Sequence, residues 1–389
     1  MTIWTIYNHG TNASSLKGPD SGEIVNLFGN NDRRPLMKGK IVTEGVGSIG
    51  APHDIVQSFS RDAKSGVYTR TVESTPAKKA TAYHGATGVG VQQNVDSTVE
   101  LIRALNLAGH KPEAINMLGW SRGAVTCIRI AWKLWQSQDA NIRNIPINIF
   151  AVDPVAGFGH NSEVDATTLT PNVKQYLATL ATGEKRRFFK PIAGNRLTVV
   201  DPTETKTWVL PMPGHHSDTA MNDNPTGRVV FNLAYRFLNA VNTPVPAMRH
   251  YMLDPVATWK HYETTMVDSS SVHTTKTKQS LAMGGKAYSR AGEAQAQGFG
   301  EQFFPNVHAR RVFEAAYPVH YEAYFGANSR QRNTMPWGVK YSPRLVAESK
   351  RNGMSQGMID KLAALPQGDL PVPAVPPHVD LMIGALTLV

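Results

Sequence analysis

Two hydrophobic patterns alternate along roughly the first 240 residues. Short apolar runs that end in glycine, asparagine, aspartate or proline predict buried strands, as in "TIWTIYNHG", "EAINMLGWS" and "IPINIFAVDP". Segments with apolar residues three or four apart predict helices over "VGVQQNVDSTVELIRALNLAG", with Gly109 as its C-cap, "GAVTCIRIAWKLWQS" and "TGRVVFNLAYRFLNAV". "NRLTVVDPTETKTWVLPMPG" is typical of a hairpin or of two strands. Strands alternating with helices predict an α/β fold with a mostly parallel sheet covered by helices.

The pattern changes after about Thr243, which predicts three regions. The first is a folded body over residues 1–243. The second, residues 244–365, begins near "NTPVPAM", contains a stretch rich in Ser, Thr, Gly and Ala, and predicts a C-terminal cap or accessory region. Its aromatic residues near Phe313–Phe325 indicate either a membrane-facing surface or packing against the body. The third, residues 366–389, is a proline-rich linker and an apolar tail.

Composition narrows the class of protein. Of 389 residues, 41% are hydrophobic and 18% charged, which is typical of a globular protein. No apolar run approaches the roughly 18 residues of a transmembrane helix, and the start lacks the features of a secretory signal peptide. The single cysteine, Cys127, excludes an internal disulfide and indicates a reducing compartment. The net charge of +10 favours anionic partners, either a membrane surface or nucleic acid.

The segment "GWSRG", residues 119–123, lies between a predicted strand and a predicted helix. A nucleophilic serine on such a turn is held in a strained conformation at the carboxyl end of the strand, and flanking glycines avoid a clash. The pattern therefore predicts Ser121 as a nucleophile, with the N–H of Arg122 in an oxyanion hole. The alternative is a glycine-rich junction in which Ser121 caps the helix.

A nucleophilic serine needs a base, and the base needs a carboxylate to orient it. The polar segment "PGHHSD" supplies His215 and His216, which could instead ligate a metal, although no second cluster with ligand spacing accompanies them. Asp153 and Asp201 both follow predicted strands, where α/β enzymes place their chemistry. Each also precedes a proline, so each is equally typical of an ordinary turn.

Six segments resemble, in order, the motifs of one lipase family: "NHGTN", "EGVGS", "GWSRGA", "VDPVAG", "GEKRRFFKP" and "WVLPMPGHHSD". The family is the α/β-hydrolase-type lipase family that contains the first class of type VI secretion phospholipase effectors. The resemblance runs from about Ile3 to Asp218. The chain departs from the family where His9 replaces an acidic residue, where "TAMND" replaces a glycine pair, and at Glu184, which matches only approximately.

The resemblance implies Ser121 as nucleophile, His216 as general base and Asp153, ahead of Asp201, as the acid. Gly10 and Thr11 would join Arg122 in the oxyanion hole. His9 would either donate a hydrogen bond behind the site or bond to nearby backbone.

The same resemblance implies an A-type phospholipase acting on membrane phospholipid as an antibacterial effector. It would be made in the bacterial cytoplasm and secreted without a Sec signal, together with a carrier protein and a cognate immunity protein. No cofactor or metal is expected; a role for calcium is open. Alternatives are another esterase or amidase on the same scaffold, or a basic, non-enzymatic binding module. No nucleic-acid-binding motif supports a nucleic acid partner.

Overall fold

The computed structural model describes the following residues: 2–15, 22–36, 38–46, 48, 55–61, 68–74, 90–157, 160–181, 184, 189–192, 197–201, 204–212 and 214–245. Nearly all of the predicted accessory region (244–365) and the whole predicted tail (366–389) lie outside the described residues.

The described part of the chain contains strands and helices in alternation. The strands are β1 Ile3–Asn8, β2 Lys40–Thr43, β3 Ile55–Arg61, β4 Tyr68–Ser74, β5 Ala114–Trp120, β6 Ile147–Val152, β7 Thr168–Leu169, β8 Val173–Ala181, β9 Thr198–Val199 and β10 Lys206–Met212. The helices are α1 Ile24–Asn31, α2 Val91–Leu107, α3 Arg122–Trp135, α4 Ala140–Arg143, α5 Val164–Thr167 and α6 Pro225–Ala240. None of these helices is long and apolar enough to cross a membrane.

Six of the described strands form one sheet, in the order β10-β8-β6-β5-β1-β2, and every neighbouring pair is parallel. Strands β1, β5 and β6 are buried along almost their whole length, as expected where helices cover both faces. The predicted α/β fold with a parallel sheet covered by helices is therefore confirmed for the described residues.

The strand order reverses between β1 and β5. From β1 the chain moves to β2 on one side, then returns to β5 on the other side and continues outward through β6, β8 and β10. The residues that follow β1 and β5 therefore lie at the point where the strand order reverses, which is where ligands bind in open α/β sheets. Ser121 follows β5 directly, and His9 follows β1 directly.

Several elements differ from the sequence-based expectations. The segment predicted as a hairpin or two strands forms two separate strands: β9 pairs with β7, whereas β10 joins the edge of the main sheet beside β8. A hairpin is therefore wrong. Strand β8 and helix α1 were not predicted. Strands β3 and β4 pair with each other in an antiparallel ribbon outside the main sheet.

The end of α6 is attached to the sheet by buried side chains. Asn116 of β5 is fully buried, and its amide nitrogen donates to Val241 O and to Thr243 Oγ1, both at 2.8 Å. Its amide oxygen accepts from Asn148 Nδ2 at 2.9 Å. These bonds satisfy the buried amide and attach the chain near residue 243, where the sequence predicts a boundary.

Replacing Asn116 with alanine should destabilise the protein. The change leaves the partly buried Asn148 on β6 and the buried groups after α6 without their hydrogen bonds, so we expect the free energy of unfolding to fall by about 2–4 kcal/mol. Urea denaturation followed by circular dichroism measures this difference. Asn141→Ala, at an exposed position in α4, is the matched control and should change the free energy by less than about 0.5 kcal/mol.

Candidate active site

Ser121 lies on a sharp turn between β5 and α3. Its backbone has φ 57° and ψ −122°, a conformation that residues other than glycine rarely adopt. Its N–H donates to Val152 O at 2.9 Å, which attaches the turn to the end of β6. Although Ser121 occupies the N-cap position of α3, its hydroxyl makes no capping hydrogen bond. The geometry is that of a strained strand-to-helix turn, here called the elbow (residues 119–123), and it differs from that of a serine that caps a helix.

The two glycines of the elbow are required by close backbone contacts. A Cβ atom at Gly119 would lie 2.5 Å from Gly123 O, because the strand and helix approach each other at the turn. A Cβ atom at Gly123 would lie 2.1 Å from Asn8 O and 2.6 Å from His9 O. The elbow therefore packs directly against the end of β1, and a side chain at either glycine would separate them.

His216 and Asp153 meet at the carboxyl edge of the sheet. His216 Nδ1 lies 2.5 Å from Asp153 Oδ2, and both side chains are buried. The other carboxylate oxygen of Asp153 accepts from Ala181 N at 2.9 Å, so the end of β8 fixes its orientation. Asp153 also has a positive φ of 37°, which marks a strained position directly after β6.

The ring of His216 is held by aromatic and backbone contacts as well. Trp120, the residue before Ser121, lies beside it with ring centroids 5.4 Å apart, and Phe189 makes an edge-on contact at 5.0 Å. His216 N–H donates to the fully buried carboxylate of Glu184 at 3.2 Å. Asp153 and His216 are thus held by the end of β8, through Ala181, and by the segment that follows it, through Glu184 and Phe189.

The other two sequence candidates, Asp201 and His215, take no part in the hydrogen bond between His216 and Asp153. Asp201 follows β9, and its carboxylate accepts from Glu204 N at 3.3 Å in the turn before β10. His215 is buried with Nδ1 at 3.7 Å from Glu184 Oε2, and its backbone N–H donates to Asp218 Oδ2 at 2.6 Å. Among the described residues, no group of three His, Cys, Asp or Glu side chains is arranged to hold a metal ion.

The loop after β1 lies over the elbow. A Cβ atom at Gly10 would lie 2.5 Å from the ring of Trp120, so only glycine permits this approach. The turn is closed by a hydrogen bond from Ala13 N to Gly10 O at 2.9 Å, and Asn12 N donates to Val46 O at 3.0 Å. Within the part of the chain that the structure describes, neither the Gly10 nor the Thr11 N–H has a hydrogen-bond acceptor. Two donors are therefore available close to the elbow.

The side chain of Arg122 connects this loop to the loop after β6. Its Nη1 donates to Thr11 Oγ1 at 2.8 Å, and a Cβ atom at Gly157 would lie 2.6 Å from Nη2. Burial lowers the pKa of Arg122 to about 10, so the guanidinium stays charged at neutral pH. Its backbone N–H lies in the first turn of α3, where N–H groups point out of the helix.

Buried polar groups behind the elbow complete its support. Asn8 Nδ2 lies 3.1 Å from Cys127 Sγ, and the thiol donates to Gly123 O at 3.2 Å. Burial raises the pKa of Cys127 to about 12, so this thiol is protonated and unreactive at neutral pH. His9 bonds to the carboxylate of Glu23, with Nδ1 and Oε2 3.0 Å apart, rather than to nearby backbone.

Sequence reasoning missed several residues of the site. Trp120 and Phe189 give no sequence signal for their contact with His216. Glu23 carries little signal, because the usual helix N-cap residues are Ser, Thr, Asp and Asn and not Glu. Glu184 was found only through its approximate match to a family motif, and its burial against the histidines was not predicted.

Two solved structures resemble this chain weakly. No protein-family model and no curated protein matches the chain. An uncharacterized protein from Pseudomonas aeruginosa has a similar structure, with a TM-score of 0.40 and 15% identity over 99% of this chain. The chain spans 66% of the length of that protein. SOBER1 from Arabidopsis thaliana is similar over 55% of this chain and 89% of its own, with a TM-score of 0.27 and 14% identity. Both TM-scores are below 0.5, so neither similarity assigns a function to the site.

Replacing Gly123 with alanine tests the close packing of the elbow. An alanine ordinarily stabilises a helix by about 1 kcal/mol relative to a glycine. Here, however, the new methyl group would collide with the backbone of β1. We expect a loss of about 2–4 kcal/mol in the free energy of unfolding, measured by urea denaturation. Gly29→Ala in α1, where the added atom would meet Tyr7 at an ordinary 3.6 Å, is the control and should be neutral or stabilising. Equal effects of the two changes would contradict the packing described here.

Proposed function

We propose that the protein is a serine ester hydrolase. The observation that carries the proposal is the buried hydrogen bond between His216 and Asp153 at the sheet edge where the strained Ser121 lies. An imidazole oriented by a carboxylate, next to a serine on an elbow, has the arrangement required for nucleophilic catalysis. Trp120 connects the two parts, because it precedes Ser121 and its ring contacts that of His216.

The reaction begins with proton transfer from serine to histidine. With the Nδ1 proton of His216 donated to Asp153, Nε2 carries the lone pair and acts as the base. It takes the Ser121 hydroxyl proton while Oγ forms a bond to the ester carbonyl carbon. The resulting imidazolium returns that proton to the leaving alcohol, and an acyl-enzyme remains. Water then repeats the same two steps and releases the carboxylic acid.

The negative charge that develops on the carbonyl oxygen requires hydrogen-bond donors. We assign this role to the backbone N–H of Arg122, with Gly10 and Thr11 from the loop after β1. The support is that neither N–H group has an acceptor within the described residues, that Gly10 packs against Trp120, and that the Thr11 hydroxyl accepts from Arg122. One donor of this kind lowers the activation barrier by about 3–4 kcal/mol.

We propose membrane phospholipid as the substrate, cleaved as by an A-type phospholipase. Two observations support this class of ester: the ordered resemblance of six segments to a phospholipase effector family, and a net charge of +10, which attracts the chain to anionic membranes. Delivery to a target-cell membrane without a Sec signal, a carrier protein and an immunity protein follow from the same resemblance and are part of this proposal.

Fatty acid release from vesicles of mixed phosphatidylethanolamine and phosphatidylglycerol tests the proposal. Wild-type protein should release fatty acid, whereas Ser121→Ala and His216→Ala should lose at least about a thousandfold in rate, because each removes a reacting group. Asp153→Asn should lose about ten-thousandfold, since an amide favours the wrong tautomer of His216. Asp201→Asn, at the carboxylate in the turn before β10, is the matched control. Its rate of fatty acid release should stay within about twofold of wild type.

The outcomes separate the competing functions. A wild-type protein that leaves phospholipid intact but hydrolyses short-chain esters through Ser121 would replace the phospholipase with another esterase. A protein inactive on both, with a normal circular dichroism spectrum, would contradict the hydrolase and favour the binding module. Loss of activity in Asp201→Asn, with Asp153→Asn unaffected, would overturn the assignment of the acid.

A further inference from the structure

We propose that His9 and Glu23 form a positioning pair that holds the oxyanion loop in place relative to the loop that carries His216. The oxyanion loop is residues 10–12, and the histidine loop is residues 215–222. The inference rests on the proposed function, since it concerns two loops that must act together on one carbonyl group. Neither residue belongs to the proposed set of reacting groups.

The pair is buried and has a defined direction. His9 Nδ1 lies 3.0 Å from Glu23 Oε2, and the two side chains are 0% and 7% exposed. The same carboxylate accepts from Val25 N at 2.9 Å and Asn26 N at 3.0 Å, so it caps α1. A carboxylate that accepts two N–H bonds is an acceptor toward His9 also, so His9 Nδ1 carries the proton. A charge-assisted bond of this kind is stronger than one between neutral groups.

Glu23 is attached at its backbone to the histidine loop. Glu23 and Met221 form an antiparallel bridge. Ile24 N donates to Ala220 O, and Asn222 N donates to Gly22 O, both at 2.8 Å. The start of α1 and the end of the histidine loop are therefore joined by backbone hydrogen bonds.

His9 is attached on its other side to the oxyanion loop and the elbow. It directly precedes Gly10, its N–H donates to Thr43 O at 3.1 Å, and its carbonyl oxygen packs against Gly123. These contacts fix the backbone of His9, and the bond from Nδ1 to Glu23 fixes its side chain. His9 directly precedes the proposed oxyanion donors Gly10 and Thr11. A continuous series of contacts thus runs from Gly10 through His9 and Glu23 to the histidine loop.

The ring has a second nitrogen, which suggests an alternative role. His9 Nε2 is buried and has no hydrogen-bond partner among the described residues. If Nε2 bound the substrate, His9 would be a catalytic residue and not a positioning residue. The two roles depend on different nitrogen atoms, so amide side chains that imitate one nitrogen at a time distinguish them.

Kinetics of three His9 variants provide the first test. The amide nitrogen of asparagine lies near the position of Nδ1, and that of glutamine near the position of Nε2. We expect His9→Asn to stay within about threefold of wild type in kcat, while His9→Gln and His9→Ala lose about tenfold to a hundredfold with little change in KM. Glu23→Gln, which keeps the size of the acid and removes its charge, should resemble His9→Gln. An active His9→Gln with an inactive His9→Asn would overturn the proposal.

Hydrogen exchange provides a test that does not depend on activity. Both His9 variants are made in the inactive Ser121→Ala background. His9→Ala should raise the amide exchange rates of Ile24 and Asn222 about tenfold or more, because it releases Glu23. His9→Asn keeps the bond to Glu23 and should leave both rates near those of Ser121→Ala alone. Exchange in α2 serves as the internal reference for global stability. Unchanged exchange at both amides would contradict the coupling.

The two measurements separate this inference from the proposed function. An inactive wild-type protein would refute the hydrolase, while exchange would still decide whether His9 and Glu23 couple the loops. An active protein that requires Ser121 but tolerates His9→Ala and Glu23→Gln would refute the positioning pair alone. If His9→Ala does not fold, Glu23→Gln and His9→Gln carry the same two readouts.

Discussion

The hydrogen bond between Asp153 and His216 joins two side chains that burial would otherwise penalise. A buried carboxylate costs several kcal/mol unless hydrogen bonds and opposite charge compensate it. Asp153 receives an N–H bond from Ala181 and the bond from His216, and His216 is in turn held by Glu184, Trp120 and Phe189. This pair of side chains therefore fixes the histidine loop relative to the ends of β6 and β8, which backbone pairing already holds side by side.

The parallel sheet places Ser121 at the same edge as the Asp153–His216 pair. Strands β5 and β6 are neighbours, so the residues that follow them, Ser121 and Asp153, lie at the same edge. A hydrogen bond from Ser121 N to Val152 O joins the two ends directly. The strained backbone of Ser121 is tolerated because Gly119 and Gly123 let the strand, the helix and the end of β1 pack without side chains between them.

Much of this architecture is predictable because the governing interactions are local. Long apolar runs predicted the inner strands, and the "GWSRG" segment predicted the elbow, since both depend on residues adjacent in sequence. Asp153 and Asp201 are locally alike, each at a strand end before a proline. The family resemblance ranks Asp153 first, and the sheet order separates the two positions in space: β6 lies beside β5, whereas β9 pairs with β7 outside the main sheet.

What the sequence could not show depends on contacts between distant segments. Strand β8 includes Lys174 and Gln175, which interrupt the apolar pattern of a buried strand. Helix α1 has eight residues, three of them asparagine, and is stabilised by its cap and by tertiary contacts more than by propensity. The contacts of Glu184 with the histidines and of Glu23 with His9 join residues that only the fold brings together.

Labelling with a fluorophosphonate, which reacts with activated serine hydroxyls, tests the central claim most directly. Wild-type protein should take up one label, which peptide mass spectrometry should locate on Ser121. His216→Ala and Asp153→Asn should react at least about a hundredfold more slowly, because the serine is nucleophilic only when an oriented imidazole accepts its proton. A folded wild-type protein that takes up no label, or a His216→Ala variant that reacts as fast as wild type, would contradict the account.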